Sequence, residues 1–324
     1  MPQLLLILLL LVSCGPLHRR REVSPPAPSL SERRELYLQL NAAHQDSNGF
    51  ILVRHCDSLL FSSLNAVGRG EKINILAARD EAGQWFRRPL NLPECYANGK
   101  SKSTISRDML IGLLLYLQHF RESTLVADLW NYGSENNWIM GEGDGVNQVA
   151  TIMSPSLIKV LAEMNYQMNN IDSVERALPD LTIFTQAGGY ANHLNLLYLH
   201  LYGQVYGGLS SLQYSELIRY TNEIDSGNIL GQILLSKYTH VNFNNNLLDI
   251  YPATRLPTTA DWCEDWYPQR DSTDPNLRPC GTGIPGSPDE IQHTGGDFLF
   301  LTKVLTESVR RPVAGLVLGG TPRV

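Results

Sequence analysis

Two stretches of this chain are apolar almost all the way round. Met109 to Phe120 (MLIGLLLYLQHF) and Leu194 to Tyr206 (LNLLYLHLYGQVY) read as helices, and a helix without a polar face is one that other elements enclose on every side. Leu125 to Tyr132, Pro155 to Met164 and Leu212 to Asn222 carry a polar face as well as an apolar one, which places them outside. A further helix opens at Ser31-Glu32-Arg33-Arg34-Glu35, where an N-cap serine and an early acid precede Leu36, Leu38 and Leu40. Helix signals outnumber strand signals throughout, so the chain reads as all-α.

The beginnings of the apolar helices share a chemistry. Each follows a polar or glycine-rich turn bearing Asp, Asn or His: Cys56-Asp57-Ser58, Ser106-Arg107-Asp108, Gly143-Asp144-Gly145-Val146, Tyr190-Ala191-Asn192-His193, Gly227-Asn228-Ile229 and Gly295-Gly296-Asp297. Asp57, Asp108, Asp144, Asn192, Asn228 and Asp297 are separated by 51, 36, 48, 36 and 69 residues, which fits one helical hairpin per unit with insertions in the last intervals. A helix start exposes unpaired N–H groups and partial positive charge, which favour a carboxylate or amide there. Taken singly, each of these residues reads as a cap. Their recurrence at the starts of buried helices is what points to a site.

The pattern resembles the (α/α)6 toroid of carbohydrate-active enzymes, such as inverting glycoside hydrolases and some polysaccharide lyases, over roughly residues 31 to 310. That resemblance implies six inner helices around a cavity, six outer helices, and a polysaccharide cleft at the inner-helix N-termini. Inverting hydrolysis needs one protonated acid at the glycosidic oxygen and one ionised base holding water, their carboxyl groups about 6.5–9.5 Å apart. On this reading Glu142 is the acid and Asp108 the base, with Asp57, Asp144 and Asp297 as alternates. A lyase would draw instead on Arg107, His193 and His293 to neutralise a uronate and abstract a proton. The third reading is not enzymatic: a surface lipoprotein binding a glycan or protein partner in the same cavity.

Local sequence refines the candidates. Asn137 to Gly145 packs three glycines, Trp138, Glu142 and Asp144 into one short turn, which lacks the alternating oxygen ligands of an EF-hand. Its plain alternative is a tight turn with a capping aspartate. Arg107 and Asp108 precede the most apolar helix, where an ion is costly unless it faces water or a partner, and a structural pair between them is the competing reading. His293 and Asp297 place an imidazole and a carboxylate near one helix start, beside two glycines. Residues 251 to 292 form the longest irregular stretch, with Trp262, Asp265, Trp266, Tyr267, Arg270 and Asp271. Tryptophans are costly to leave in a disordered segment, so a folded lid is expected. Rings beside acids suit a sugar, though the same rings also anchor a loop. The expected substrate-binding residues are Arg107, Trp138, His193, Trp262, Trp266 and His293.

Composition narrows the classes. With 324 residues, 43% apolar and 18% charged, the chain makes one large domain or two small ones, and disorder, collagen and coiled coil are excluded as overall descriptions. A net charge of −6, with no basic run beyond His18 to Arg21, gives no reason to expect a nucleic-acid partner. There is no HExxH motif, no Cys/His cluster, no GxSxG elbow, no P-loop and no dinucleotide fingerprint, so no metal and no cofactor are expected.

The N-terminus reads as an address. Leu4 to Val12 is an unbroken apolar run of nine, far short of the roughly 20 residues of a spanning helix and suited to a secretory signal. Leu11-Val12-Ser13-Cys14-Gly15 resembles a bacterial lipobox, which implies a signal peptide over 1–13, a lipid on Cys14 and a membrane contact through that lipid alone. In a Gram-negative cell, Gly15 after the cysteine resembles an outer-membrane destination. Residues 14–30 form a Pro-rich tether, and 31–324 a single domain. Cys56, Cys95, Cys263 and Cys280 remain, an even number that suggests disulfides in an oxidising compartment, with three connectivities open. Proximity favours Cys56–Cys95 and Cys263–Cys280, and four buried free thiols are the alternative.

Overall fold

Both all-apolar stretches are helices without a solvent face: every residue from Met109 to Gln118, and from Asn192 to Gly203, is buried. A computed structural model describes residues 29–43, 45–51, 57–92, 104–142, 150–181, 189–224, 228–239 and 296–307. These are mostly helical. In chain order they form α1 (Leu30–Ala43), α2 (Ser58–Arg69), α3 (Arg107–Phe120), α4 (Ser123–Glu135), β1 (Ile139–Gly141), β2 (Thr151–Ile152), α5 (Pro155–Asn169), α6 (Gly189–Tyr206), α7 (Ser211–Ile218), α8 (Ile229–Thr239) and α9 (Gly296–Thr306). Short 3-10 turns occupy Ile75–Ala78 and Val174–Ala177, and a π turn, Arg219–Ile224, continues α7.

Five helices close a cycle of neighbours. α2 packs on α3, α3 on α6, α6 on α8, α8 on α9, and α9 back on α2. Glycines allow close approaches: a Cβ on Gly112 of α3 would stand 2.9 Å from Leu60 Cα of α2, and one on Gly68 of α2 would stand 2.5 Å from Phe300 N of α9. Leu60 meets Gly112 and, beyond the end of α2, Ile73 N–H reaches the Tyr116 hydroxyl of α3 at 3.3 Å, so α2 and α3 run the same way. The same holds for α6 and α8, where Leu196 meets Gly231 and Gly203 meets Tyr238. It holds again for α6 and α9, whose His200 and Phe300 rings lie 5.9 Å apart while Gln204 donates to Glu307 at 2.9 Å.

The remaining helices flank this cycle. α1 covers α9 through Tyr37 and Phe298, ring centroids 4.7 Å apart, and ties to α2 through Asn65 Nδ2 donating to Asn41 Oδ1 at 2.7 Å. α4 and α5 pair antiparallel, Asn169 Nδ2 at the end of α5 donating to the Ser123 carbonyl at the start of α4, and α5 also packs on α3 and α6. α7 and its π turn pack on α6 and α8. Ser154 and Ser210 cap α5 and α7, accepting from Leu157 N–H and Gln213 N–H at 3.4 Å each.

Some expectations change in detail. Between α2 and α3 the described residues form a 3-10 turn and an extended segment, and none of them belongs to an α-helix. The expected helix start at Gly143-Asp144-Gly145-Val146 lies outside the described residues, and the next helix begins at Pro155 behind the Ser154 cap. The expected helix Leu212–Asn222 runs as α-helix only to Ile218 before widening into the π turn. Cys14, Cys56, Cys95, Cys263, Cys280, Asp144, Trp262, Trp266 and His293 lie outside the described residues, as do residues 1–28 and the expected lid over 251–292, and the Asp297 side chain is likewise not described. Among the described residues no helix is long and apolar enough to cross a membrane.

Candidate functional site

The starts of α2 and α3 are joined by the extended segment that precedes α3 in the chain. Leu59 N–H of α2 donates to the Arg87 carbonyl at 2.7 Å, while Ile105 N–H, just before α3, donates to the Trp85 carbonyl at 3.0 Å. Phe86 bridges Thr104 in antiparallel fashion. Residues 85–87 thus hold the two helix starts side by side.

Each start carries an acid. Asp57 is the N-cap residue of α2 but makes no side-chain cap bond; its carboxylate accepts from Arg87 Nη1 at 2.9 Å, with both side chains largely buried. Ser106 is the N-cap residue of α3 and likewise makes no cap bond, donating instead to the Asp108 carboxylate. Arg107, between them, is exposed.

Glu142 arrives from a distant part of the chain. Its N–H donates to Thr104 Oγ1 at 3.0 Å, so the end of β1 sits beside the approach to α3. The strand is aimed there by a register in which Ile139 opposes Ile152 and Gly141 opposes Thr151. The Glu142 side chain is exposed. Its charge is felt on α4: burial, followed by the carboxylates of Asp80 and Glu142, pushes the Tyr132 hydroxyl above its ordinary range.

The structure therefore brings three expected acids, Asp57, Asp108 and Glu142, to one corner through Arg87 and Thr104. Trp138 lies at the same corner in a packing role. Its ring covers Gly133 and meets Trp130 edge-on at 5.0 Å, and its φ of 63° turns the chain from α4 into β1.

No protein-family model, curated protein or solved structure matches this chain. Function must be read from the residues themselves.

The starts of α6 and α8 are polar too, but inward. Asn192 is fully buried with neither amide atom hydrogen-bonded, and Asn228, also fully buried, accepts from Gly231 N–H at 3.2 Å while its Nδ2 is unpaired. His193 is 4% exposed, and burial pushes its imidazolium down to about 3, so it is neutral over the physiological range and out of reach of bulk solvent. Among the described residues no group of three metal-ligating side chains occurs. Sequence reasoning missed Arg87 and Thr104; it named Asn192 and Asn228 as helix-start residues, and the structure adds that their amides are buried with unpaired atoms. Nothing in the pattern around Arg87 or Thr104 marks them, because each acts on a residue 30 or 38 positions away.

Proposed function

We propose that the chain is an envelope-tethered carbohydrate-active enzyme of α/α-toroid type, a glycoside hydrolase whose cleft lies at the shared start of the buried helices. One observation carries this reading: Asp57 and Asp108, at adjacent starts, are joined there by Glu142 from another part of the chain. The outer helices α5 and α7 spend a serine on an ordinary cap; α2 and α3 make no such bond.

Glu142 is the general acid, delivering a proton to the glycosidic oxygen from an exposed position that a polymer reaches. Asp108 is the base that orients water, its carboxylate fixed by the Ser106 hydroxyl. Asp57, paired with Arg87, is the positioning residue of the three. Exposed Arg107 offers a planar set of donors to sugar hydroxyls. Asp144, Asp297, Trp262, Trp266 and His293 complete the proposed cleft and its lid, with Cys14 as the lipid anchor. The buried, neutral state of His193 favours hydrolysis over a lyase reaction that would use it as base.

Glu142→Gln and Asp108→Asn, each tested on peptidoglycan and common exopolysaccharides for release of reducing ends, are expected to lose about 100-fold or more of the activity. Retained hydrolysis by both folded variants sinks the assignment. Ultraviolet-absorbing unsaturated products would mark a lyase instead.

The pairing of Asp57 with Arg87 and of Asp108 with Ser106 favours a second reading, a glycan- or protein-binding lipoprotein without turnover. Saturable binding of a polysaccharide with no product release would select it.

A further inference from the structure

Between α1 and α2 the chain makes a short hairpin, in which Gln45 bridges Ile51 and Gly49 N–H closes a tight turn on the Asp46 carbonyl at 3.0 Å. Asn48 is tied on both sides of that turn. Its N–H donates to Asp46 Oδ1 at 2.9 Å and its Nδ2 to Asp46 Oδ2 at 3.3 Å. Its carbonyl and its Oδ1 accept from the N–H and the Nδ2 of Asn74, both at 2.9 Å. Asn74 stands between the end of α2 and the 3-10 turn Ile75–Ala78, so Asn48 fastens the hairpin to the segment that leaves α2.

The position after it calls for glycine. Gly49 has a φ of 86°, which strains any other residue, and a Cβ there would stand 2.8 Å from Ile73 Cγ2. The fold therefore demands the pair Asn-Gly, in which no side chain on the second residue obstructs attack of its nitrogen on the asparagine amide.

We propose that Asn48 is a site of spontaneous covalent modification, a deamidation that the hairpin restrains. The Gly49 nitrogen forms a bond to Asn48 Cγ, the Cγ–Nδ2 bond breaks, and ammonia leaves with the proton of the Gly49 amide. Water then opens the five-membered imide, giving aspartate by attack at the side-chain carbonyl and isoaspartate by attack at the main-chain carbonyl. Gly49 N–H must first leave the Asp46 carbonyl, and the Asn48 amide must leave Asp46 and Asn74, so the reaction runs through local opening of the turn. The product does not fit back. Where Nδ2 donated to Asp46, a carboxylate at position 48 faces a like charge across 3.3 Å.

The full chain, incubated at mildly alkaline pH and mapped by peptide mass spectrometry with enzymatic methylation to count isoaspartate, tests this site independently of any activity. Asn98-Gly99, the other Asn-Gly pair of the chain, lies outside the described residues and falls in a separate peptide. Asn48 is expected to convert, about tenfold or more slowly in the native chain than in the chain unfolded by urea. Asn74→Ala, which frees Oδ1 by a change at an exposed residue, should speed native conversion about tenfold. Asp46→Asn, which keeps an acceptor for the backbone N–H groups and removes the carboxylate from Nδ2, should speed it as well. Asn48→Asp, which supplies the product directly, should exchange its Phe50 amide hydrogen about tenfold faster than the parent, because that N–H is held by Asp46 Oδ1 at 2.7 Å. Absence of conversion at Asn48, equal rates in the native and unfolded chains, or a native rate unchanged in both Asn74→Ala and Asp46→Asn overturns the proposal. Unchanged exchange in Asn48→Asp overturns the opening of the turn by its product.

Discussion

The two ends of the five-helix cycle use their carboxylates in opposite ways. At the C-terminal end, Glu307 behind α9 gathers residues from three other helices. His119 of α3 stands 3.5 Å away through Nδ1, Gln204 of α6 donates to it at 2.9 Å, and fully buried His200 of α6 lies 3.9 Å away. Lys237 of α8 donates to the Val304 carbonyl at 3.3 Å. Burial alone would raise the Glu307 carboxyl, but the His119 hydrogen bond and the neighbouring His200, Lys237 and His119 hold it down to about 2. This acid is met by side chains of α3 and α6 and serves as a clasp. At the N-terminal end, Glu142 is held among the described residues through its backbone N–H, and its side chain is exposed. The same functional group is structural where several helices converge on it and chemically available where only a turn delivers it.

Substitutions at the two ends should separate these roles. The largest stability effect is expected for Glu307→Leu, which takes the acceptor from Gln204 and the carboxylate from beside His119 and His200, and should lower unfolding stability by about 3 kcal/mol in a denaturant titration. A loss under about 1 kcal/mol would remove the clasp from the comparison. Arg87→Met, which leaves the largely buried Asp57 carboxylate without its guanidinium, should cost about 2 kcal/mol and loosen the α2 start.

Acid should act first through the two buried histidines. Burial, with Lys237 nearby, pushes the His200 imidazolium from 6.5 to about 3, and His193 behaves alike. Because the unfolded chain takes up these protons first, the stability from both histidines is complete above about pH 6.5. It is lost as pH falls toward 3, at up to about 1.4 kcal/mol per pH unit for each. The contribution of Glu307 goes next, between about 4.5 and 2. Denaturant midpoints that stay flat from neutral pH to about pH 5 would contradict this order. His200→Gln should remove one histidine's share of the slope. The smallest expected effect is the stability of Glu142→Gln, which should match the parent within about 0.5 kcal/mol while the proposed activity falls.

Helix identity was legible from hydropathy at α3 and α6 because these two helices show hardly any polar face. The run expected over Met109–Phe120 is α3 from Arg107, and that expected over Leu194–Tyr206 is the body of α6. The starts at Asp57, Asn228 and Gly295-Gly296 lead into α2, α8 and α9 as expected. For Asp57 the cap reading was the wrong contact, since its carboxylate goes to Arg87 rather than to a helix N–H. The clasp left no trace in the pattern. His119, His200, Lys237 and Glu307 each look like the ordinary polar residue that ends or dots a helix, and only their convergence gives them meaning.

What the linear chain determined by itself was which segments are helices and which of the most apolar ones are enclosed, because a helix buried on all sides is built mainly from apolar residues. What only the tertiary structure decided was which polar residues meet. Asp57 with Arg87, Thr104 with Glu142, and Glu307 with two histidines are pairings across 30 to 188 positions. A hydrogen bond of about 3 Å depends on where helices end up in space, and hydropathy along a chain carries no information about that.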